Sequence, residues 1–193
     1  DARAFAELMK HVKKIDSADQ TVVMVQVENE IGTLDYAASY GGGNFYTRDY
    51  SVEATAAFNG QVPNELISYL EKNKEKLYPA LKKAWEDNGL KKKGTWEEVF
   101  GKGVKTEGDE WKTNFPFYTE EIFMAWNYAK YVGEIAKQGK AQYALPMYAN
   151  AWLKQPKGRE PGQYPSGGPL PHVIDVWRAA APSIDFIAPD IYI

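Results

Sequence analysis

Residues 22–32 constrain the fold more than any other part of this sequence, because they change from strongly apolar to polar just before a glycine. The valine-rich first half is typical of a buried strand in a parallel sheet. Gln26, Glu28 and Glu30 alternate, so a regular strand would direct all three to one face. Burying carboxylates carries a large desolvation cost, and proteins keep such groups for chemistry more often than for stability. We therefore expect an active site at the end of this strand.

The hydrophobic pattern predicts alternating helices and strands along the rest of the chain. Strands are predicted at about 21–30, 141–150 and 184–193, and helices at 1–14, 64–76, 79–89, 96–100, 119–139 and 172–181. Residues 33–63 and the Pro/Gly-rich residues 153–171 are predicted to be irregular, the second as an ordered binding loop. Glu120 and Glu121 are expected to face the positive end of the helix dipole in the first turn of their helix.

This order of elements predicts an α/β fold with a parallel sheet and right-handed crossovers. A (β/α)8 TIM barrel fits best, because long loops follow the carboxyl ends of the strands. A complete barrel needs eight such units and about 250 residues, whereas this chain has 193 residues and three predicted strands. We therefore expect residues 1–193 to be a partial catalytic domain, with a long helical insertion at about 33–117 after its first strand.

Composition excludes several classes of partner. The net charge of −3 provides no electrostatic footprint for nucleic acid, and no apolar run reaches the ~20 residues that span a bilayer. The chain has no cysteine, which excludes disulfides and thiolate metal sites. The glycines at 41–43 lack the lysine of a phosphate-binding loop. We expect neither a cofactor nor a metal, and the compartment is not fixed by the sequence, although a secreted or periplasmic protein is compatible with it.

Polar side chains follow all three predicted strands. They are Asn29 and Glu30, then Asn150 and Trp152, then Asp190 and Tyr192. The carboxyl ends of parallel barrel strands converge on one face, where active sites lie. Glu30 is expected to act as a general acid/base next to an amide that can bind a sugar hydroxyl. The alternative is a buried ion-pair network that contains Glu28 and Glu30, and Glu28 is in either case expected to have a supporting role.

Several motifs resemble glycoside hydrolase family 35, the β-galactosidases. Residues 25–32 (Val-Gln-Val-Glu-Asn-Glu-Ile-Gly) resemble the family motif, which usually has tyrosine at the position of Ile31. Residues 148–152 (Tyr-Ala-Asn-Ala-Trp), 161–169 and 188–192 (Ala-Pro-Asp-Ile-Tyr) resemble its bacterial branch. The resemblance covers most of the chain and implies that the three strands are the fourth, fifth and sixth of a retaining glycosidase barrel.

The resemblance also implies roles for individual residues. Glu30 becomes the acid/base, and Asn29 contacts the hydroxyl next to the anomeric carbon of a terminal β-galactoside. Asn150, Trp152 and Asp190 are expected to line the sugar site, and Tyr192 to hydrogen-bond the nucleophile. That nucleophile belongs at the end of the seventh strand, outside this chain. The segment is therefore expected to be inactive and only marginally stable without the remaining barrel segments of the same protein.

Two other functions stay open at the level of the sequence. The chain could belong to another glycosidase of the same clan, which would share Asn29 and Glu30 but have a different sugar specificity. It could also be a catalytically inactive, carbohydrate-binding barrel segment in which tryptophan and tyrosine side chains stack on sugar rings.

Overall fold

The computed structural model describes residues 1–34, 46–102, 118–153, 161–162 and 164–191. Their α-helices are α1 (Ala2–Asp16), α2 (Val52–Phe58), α3 (Asn64–Asn73), α4 (Pro79–Asp87), α5 (Trp96–Phe100), α6 (Thr119–Gln142) and α7 (Ile174–Ala180). Short 3-10 helices lie at Lys74–Lys76 and Pro171–Val173. The strands are β1 (Val25–Glu28), β2 (Met147–Ala151) and β3 (Phe186–Pro189). None of the described helices combines the length and the apolar character that crossing a membrane requires.

The three strands form one parallel sheet in the order β1-β2-β3, so each strand lies beside the next one in the chain. The predicted α/β class with a parallel sheet is confirmed. All three strands are shorter than predicted, since β1 excludes residues 21–24 and β3 excludes residues 184–185. β2 starts late because α6 continues past Gly139 to Gln142 and Pro146 precedes its ladder. A strand over 141–150 is therefore wrong for residues 141–146. Proline has no N–H to donate to a ladder, and the carbonyl of Pro146 instead accepts from the N–H of Val25 at 2.9 Å.

The helix α2 corrects the prediction that residues 33–63 are entirely irregular. Its N-cap is Ser51, whose side chain accepts a hydrogen bond from the N–H of Ala54. Serine at this position satisfies one of the unpaired amides of a helix start. The helix is only seven residues long and buries only Phe58, so it is too short to show a clear helical period in the sequence.

One face of the sheet carries the core. Val27, Ala149 and Ile187 lie at or against the main cluster of buried side chains, to which α3, α4, α5, α6 and α7 contribute. Met147 joins a smaller cluster with Met9 of α1 and Ala136 of α6. Burying these apolar side chains against the helices fixes which face of each strand points toward the helices and which face points away from them.

Within the described residues, the other face of the sheet is largely exposed. Gln26, Tyr148 and Phe186 lie side by side in the ladder, and Gln26 and Phe186 are exposed. The rings of Tyr148 and Phe186 stack with centroids 5.0 Å apart. The carboxyl ends of the three strands carry polar residues, and these residues form the candidate site.

Candidate active site

The end of β1 departs from a regular strand. The ladder pairs Gln26 with Tyr148 but Glu28 with Ala149, so the register slips at this point. The strand ends at Glu28, and Glu30 lies beyond it with φ at 53°, in the left-handed region. The expected regular strand over residues 21–30 is therefore wrong at this end. A bulge and a left-handed residue redirect a side chain in a way that regular alternation cannot predict.

Glu30 and Asp190 form a carboxyl pair at the ends of β1 and β3. The Glu30 side chain is partly buried and hydrogen-bonds that of Asp190. Burial raises the pKa of Glu30, and the hydrogen bond to Asp190 and the negative charge of Asp190 raise it further. Each of these effects disfavours a second negative charge at this position. The arrangement thus favours a protonated Glu30 beside Asp190.

Asn150 of β2 lies between the other two strand ends and holds Asp190. Its side-chain NH2 group donates to Oδ1 of Asp190 at 2.7 Å and to the carbonyl of Ala188 at 3.1 Å. Both partners are acceptors, which fixes the orientation of the amide. Asn150 is only 7% exposed, and its Oδ1 has no hydrogen-bond partner within the described part of the chain. A buried acceptor without a donor suits a ligand hydroxyl.

Asn29 and Glu28 are held by short-range contacts on β1. The amide oxygen of Asn29 accepts from Nε2 of Gln26 at 2.9 Å. The backbone N–H of Asn29 donates to Oε1 of Glu28 at 3.3 Å. Glu28 thus contacts the residue that precedes Glu30, which fits the expected supporting role.

Trp152 follows β2 on a different side of the site. With Ala151, Ile187 and Pro189 it lines an apolar cavity of about 620 Å³. Its indole N–H is buried and has no partner among the described residues. The structure therefore brings together Glu30, Asn150 and Asp190, with Asn29 and Glu28 adjacent, and separates Trp152 from them. Tyr192, which was also predicted to belong to the site, lies outside the described residues.

A glycine-rich loop, residues 164–170, packs against the backbone that follows Glu30. Thr33 and Ser166 exchange two backbone hydrogen bonds of 2.8 and 3.1 Å. A Cβ atom on Gly32 would lie 2.3 Å from the carbonyl carbon of Pro165, and one on Gly168 would lie 2.3 Å from the carbonyl oxygen of Ile31. Only glycine permits this approach of two backbones. The loop thereby fixes the chain just beyond Glu30.

The loop is in turn held by a buried polar cluster that the sequence analysis missed. Glu121 of α6 accepts hydrogen bonds from the hydroxyl of Tyr164 at 3.0 Å and the N–H of Gly167 at 3.1 Å. Its carboxylate also lies 2.9 Å from Nε2 of His172. Glu121 and His172 are both 0% exposed. Both acids lie in the first turn of α6 as the sequence predicts, but no local pattern distinguishes the buried Glu121 from its neighbour Glu120.

The electrostatics of Glu121 are opposite to those of Glu30. Burial acts to raise the pKa of Glu121, but the charge of His172 and the hydrogen bonds from His172, Gly167 and Tyr164 outweigh it and lower the pKa. Glu121 is thus held as a carboxylate and serves as an anchor. Among the residues that the structure describes, no three acidic or histidine side chains are arranged to hold a metal ion.

Comparison with models of protein families gives no match for this chain, and comparison with curated proteins gives none. The resemblance to glycoside hydrolase family 35 therefore depends on the sequence motifs alone. The class that the described residues themselves define is an α/β protein with a carboxyl pair at the carboxyl edge of a parallel sheet.

Proposed function

We propose that this chain is part of a retaining glycoside hydrolase, a β-galactosidase that removes terminal galactose from oligosaccharides, with Glu30 as its acid/base. The observation that carries the proposal is the raised pKa of Glu30 at the carboxyl end of a parallel strand, next to Asn29. A general acid must be protonated before the reaction, and burial together with a neighbouring carboxylate supplies that condition. The family motif supports galactose as the sugar.

The mechanism is a double displacement. Glu30 donates its proton to the glycosidic oxygen while a second carboxylate attacks the anomeric carbon, so the leaving alcohol departs and a glycosyl ester forms. Glu30, now an anion, takes a proton from water as the water oxygen attacks the anomeric carbon. The ester bond breaks, the nucleophile returns to its anionic form, and galactose leaves with retained configuration.

The nucleophile comes from a part of the protein outside this chain. In retaining enzymes the two carboxyl groups lie about 5–5.5 Å apart, which leaves room for the anomeric carbon between them. Asp190 hydrogen-bonds Glu30 directly and is therefore too close to serve as the nucleophile. The remaining strands would pair with the outer edges of β1 and β3 and close the sheet into a (β/α)8 barrel. In that barrel β1, β2 and β3 would be the fourth, fifth and sixth strands.

Binding of the sugar uses the amides that surround Glu30. Asn29, next to the acid/base, contacts the hydroxyl beside the anomeric carbon. The buried Oδ1 of Asn150 accepts a hydrogen bond from a further sugar hydroxyl, which satisfies an atom that has no partner among the described residues.

Hydrolysis assays of the whole protein with Glu30→Gln test this function. We expect the variant to lose about 10²–10⁴-fold in kcat on galactosyl oligosaccharides, because glutamine cannot donate the proton. The loss should be much smaller on nitrophenyl β-galactoside, whose leaving group departs without protonation. Glu97→Gln, an exposed acid on α5, is the matched control and should keep full activity.

The outcomes of these assays separate the alternatives. Equal activity of Glu30→Gln and the unchanged protein on oligosaccharides would refute the acid/base assignment. Hydrolysis of another nitrophenyl glycoside in place of the galactoside would indicate a different glycosidase of the same clan. Sugar binding without hydrolysis of any glycoside would indicate the catalytically inactive barrel.

A further inference from the structure

We infer that Asp190 is the hydrogen-bond partner of Glu30, a positioning residue that holds the acid/base carboxyl in place for the first step. The inference depends on the proposed function, since it gives Asp190 a part in the reaction assigned to Glu30. It also differs from a simple sugar-lining role, because Asp190 acts on the substrate through Glu30.

Asp190 is held in place at two points. Its backbone N–H donates to the carbonyl of Ala151 at 3.0 Å, which continues the ladder between β2 and β3. Its Oδ1 accepts from the Asn150 amide at 2.7 Å. A carboxylate fixed by its own backbone and by a buried amide offers Glu30 an acceptor in one defined position.

The charges around Glu30 leave Asp190 as its principal partner within the described residues. β1 contributes Glu28, which contacts the Asn29 backbone, and β2 contributes the uncharged Asn150. The loop 164–170, which packs on the segment after Glu30, contains no charged residue. The negative charge that acts on Glu30 is that of Asp190.

The pair has a consequence for both steps of the reaction. In the first step the Glu30 proton moves from its hydrogen bond with Asp190 to the glycosidic oxygen, which leaves two adjacent carboxylates. Like charges in one site raise the proton affinity of the pair. In the second step this repulsion favours transfer of a proton from water to Glu30. Asp190 therefore positions the protonated Glu30 for the first step and favours Glu30 as a base in the second, although its charge opposes the proton donation itself.

The pH dependence of kcat/KM in the whole protein tests the inference. In Asp190→Asn the negative charge is lost with little change of shape, so the alkaline limb should move to lower pH. Asp190→Glu keeps the charge and should restore the limb toward its original position. Asp87→Asn, a remote exposed carboxylate on α4, is the charge-matched control and should leave the profile unchanged. An alkaline limb that stays in place in Asp190→Asn would overturn the inference.

A second measurement does not depend on activity. Carboxyl ¹³C NMR of glutamate-labelled whole protein, with Glu30→Gln used for assignment, follows the titration of Glu30 directly. We expect its midpoint to be lower in Asp190→Asn, and an unchanged midpoint would contradict the pairing. If the midpoint moves but no glycoside is hydrolysed, the proposed function fails while the pairing stands. If glycosides are hydrolysed through Glu30 but the midpoint stays, only the present inference fails.

Discussion

Glu30 combines its chemistry with an unfavourable backbone conformation. Its φ of 53° lies in a region where a side chain with a Cβ atom costs roughly 1–2 kcal/mol. Such conformations are found at functional sites more often than elsewhere, because the surrounding structure must hold them in place. Here the loop 164–170 packs on the residues that immediately follow Glu30. Holding the Glu30 carboxyl group in this position therefore lowers the stability of the folded protein.

This strain can be measured by two truncations of Glu30. Glu30→Ala and Glu30→Gly both remove the carboxyl group, but only glycine adopts this φ without strain. We expect the glycine variant to be more stable than the alanine variant by about 1 kcal/mol. Urea denaturation of the whole protein gives the comparison. A glycine variant less stable than the alanine variant would show that the left-handed conformation costs nothing here.

At the scale of elements, Glu121 joins the first turn of α6 to the loop that follows β2. The carboxylate receives hydrogen bonds from Tyr164 and Gly167 and lies beside His172 of the Pro171–Val173 helix. The same loop contacts Ile31 and Thr33 after β1. One buried acid therefore connects α6, the loop and the segment that carries Glu30.

Removal of this charge should weaken all of these contacts together. We expect Glu121→Gln to lower the free energy of unfolding by about 1–3 kcal/mol, because an amide satisfies fewer of the buried donors that face this carboxylate. Glu120→Gln is the control in the adjacent position, where the carboxylate is half-buried and pairs with Arg48. Its loss should be clearly smaller in the same denaturation experiment, and equal losses would contradict the special position of Glu121.

The same carboxylate makes stability depend on pH. The folded state lowers the pKa of Glu121 below its ordinary value of 4.5. Its contribution to stability is therefore complete above the pKa of the unfolded chain and is lost as pH falls through the folded pKa. The acid limb of the stability curve should be shallower in Glu121→Gln than in the unchanged protein.

The elements and the site differ in how well local sequence predicts them. Long apolar periods gave α6 and the parallel sheet, and the convergence of parallel strand ends correctly placed Glu30, Asn150 and Asp190 in one region. The left-handed Glu30 and the buried Glu121 were not predictable. Their environments are made by residues far along the chain, such as Pro165 and His172, and no local pattern records such contacts.

At the scale of the whole molecule, three strands leave much of the sheet uncovered. Phe186 is 40% exposed on the open face, and β1 and β3 are each paired on one side only within the described residues. Unpaired edges and exposed aromatic rings promote association between chains. A closed barrel would remove both the unpaired edges and the exposed rings, because every barrel strand is paired on two sides and side chains fill the interior.

A chain limited to these 193 residues should therefore associate or unfold without a sharp transition. Circular dichroism melting with analytical ultracentrifugation measures both properties. Phe186→Ser should reduce the association of this segment, because it removes an exposed ring from the open face. A monomer with a cooperative transition would show instead that the helices on the other face suffice for stability.

The order β1-β2-β3 also determines when each contact can form as the ribosome releases the chain. β2 and β3 are close in the sequence. The pairing of Glu28 with Ala149, by contrast, can form only after α2 to α6 have been synthesised. Closing so long a loop is slow compared with the formation of local helices. The helices between β1 and β2 can therefore fold first, before β1 pairs with β2. Of the three described strands, β1 is therefore made first, and it waits for the longest stretch of chain before its described partner β2 exists.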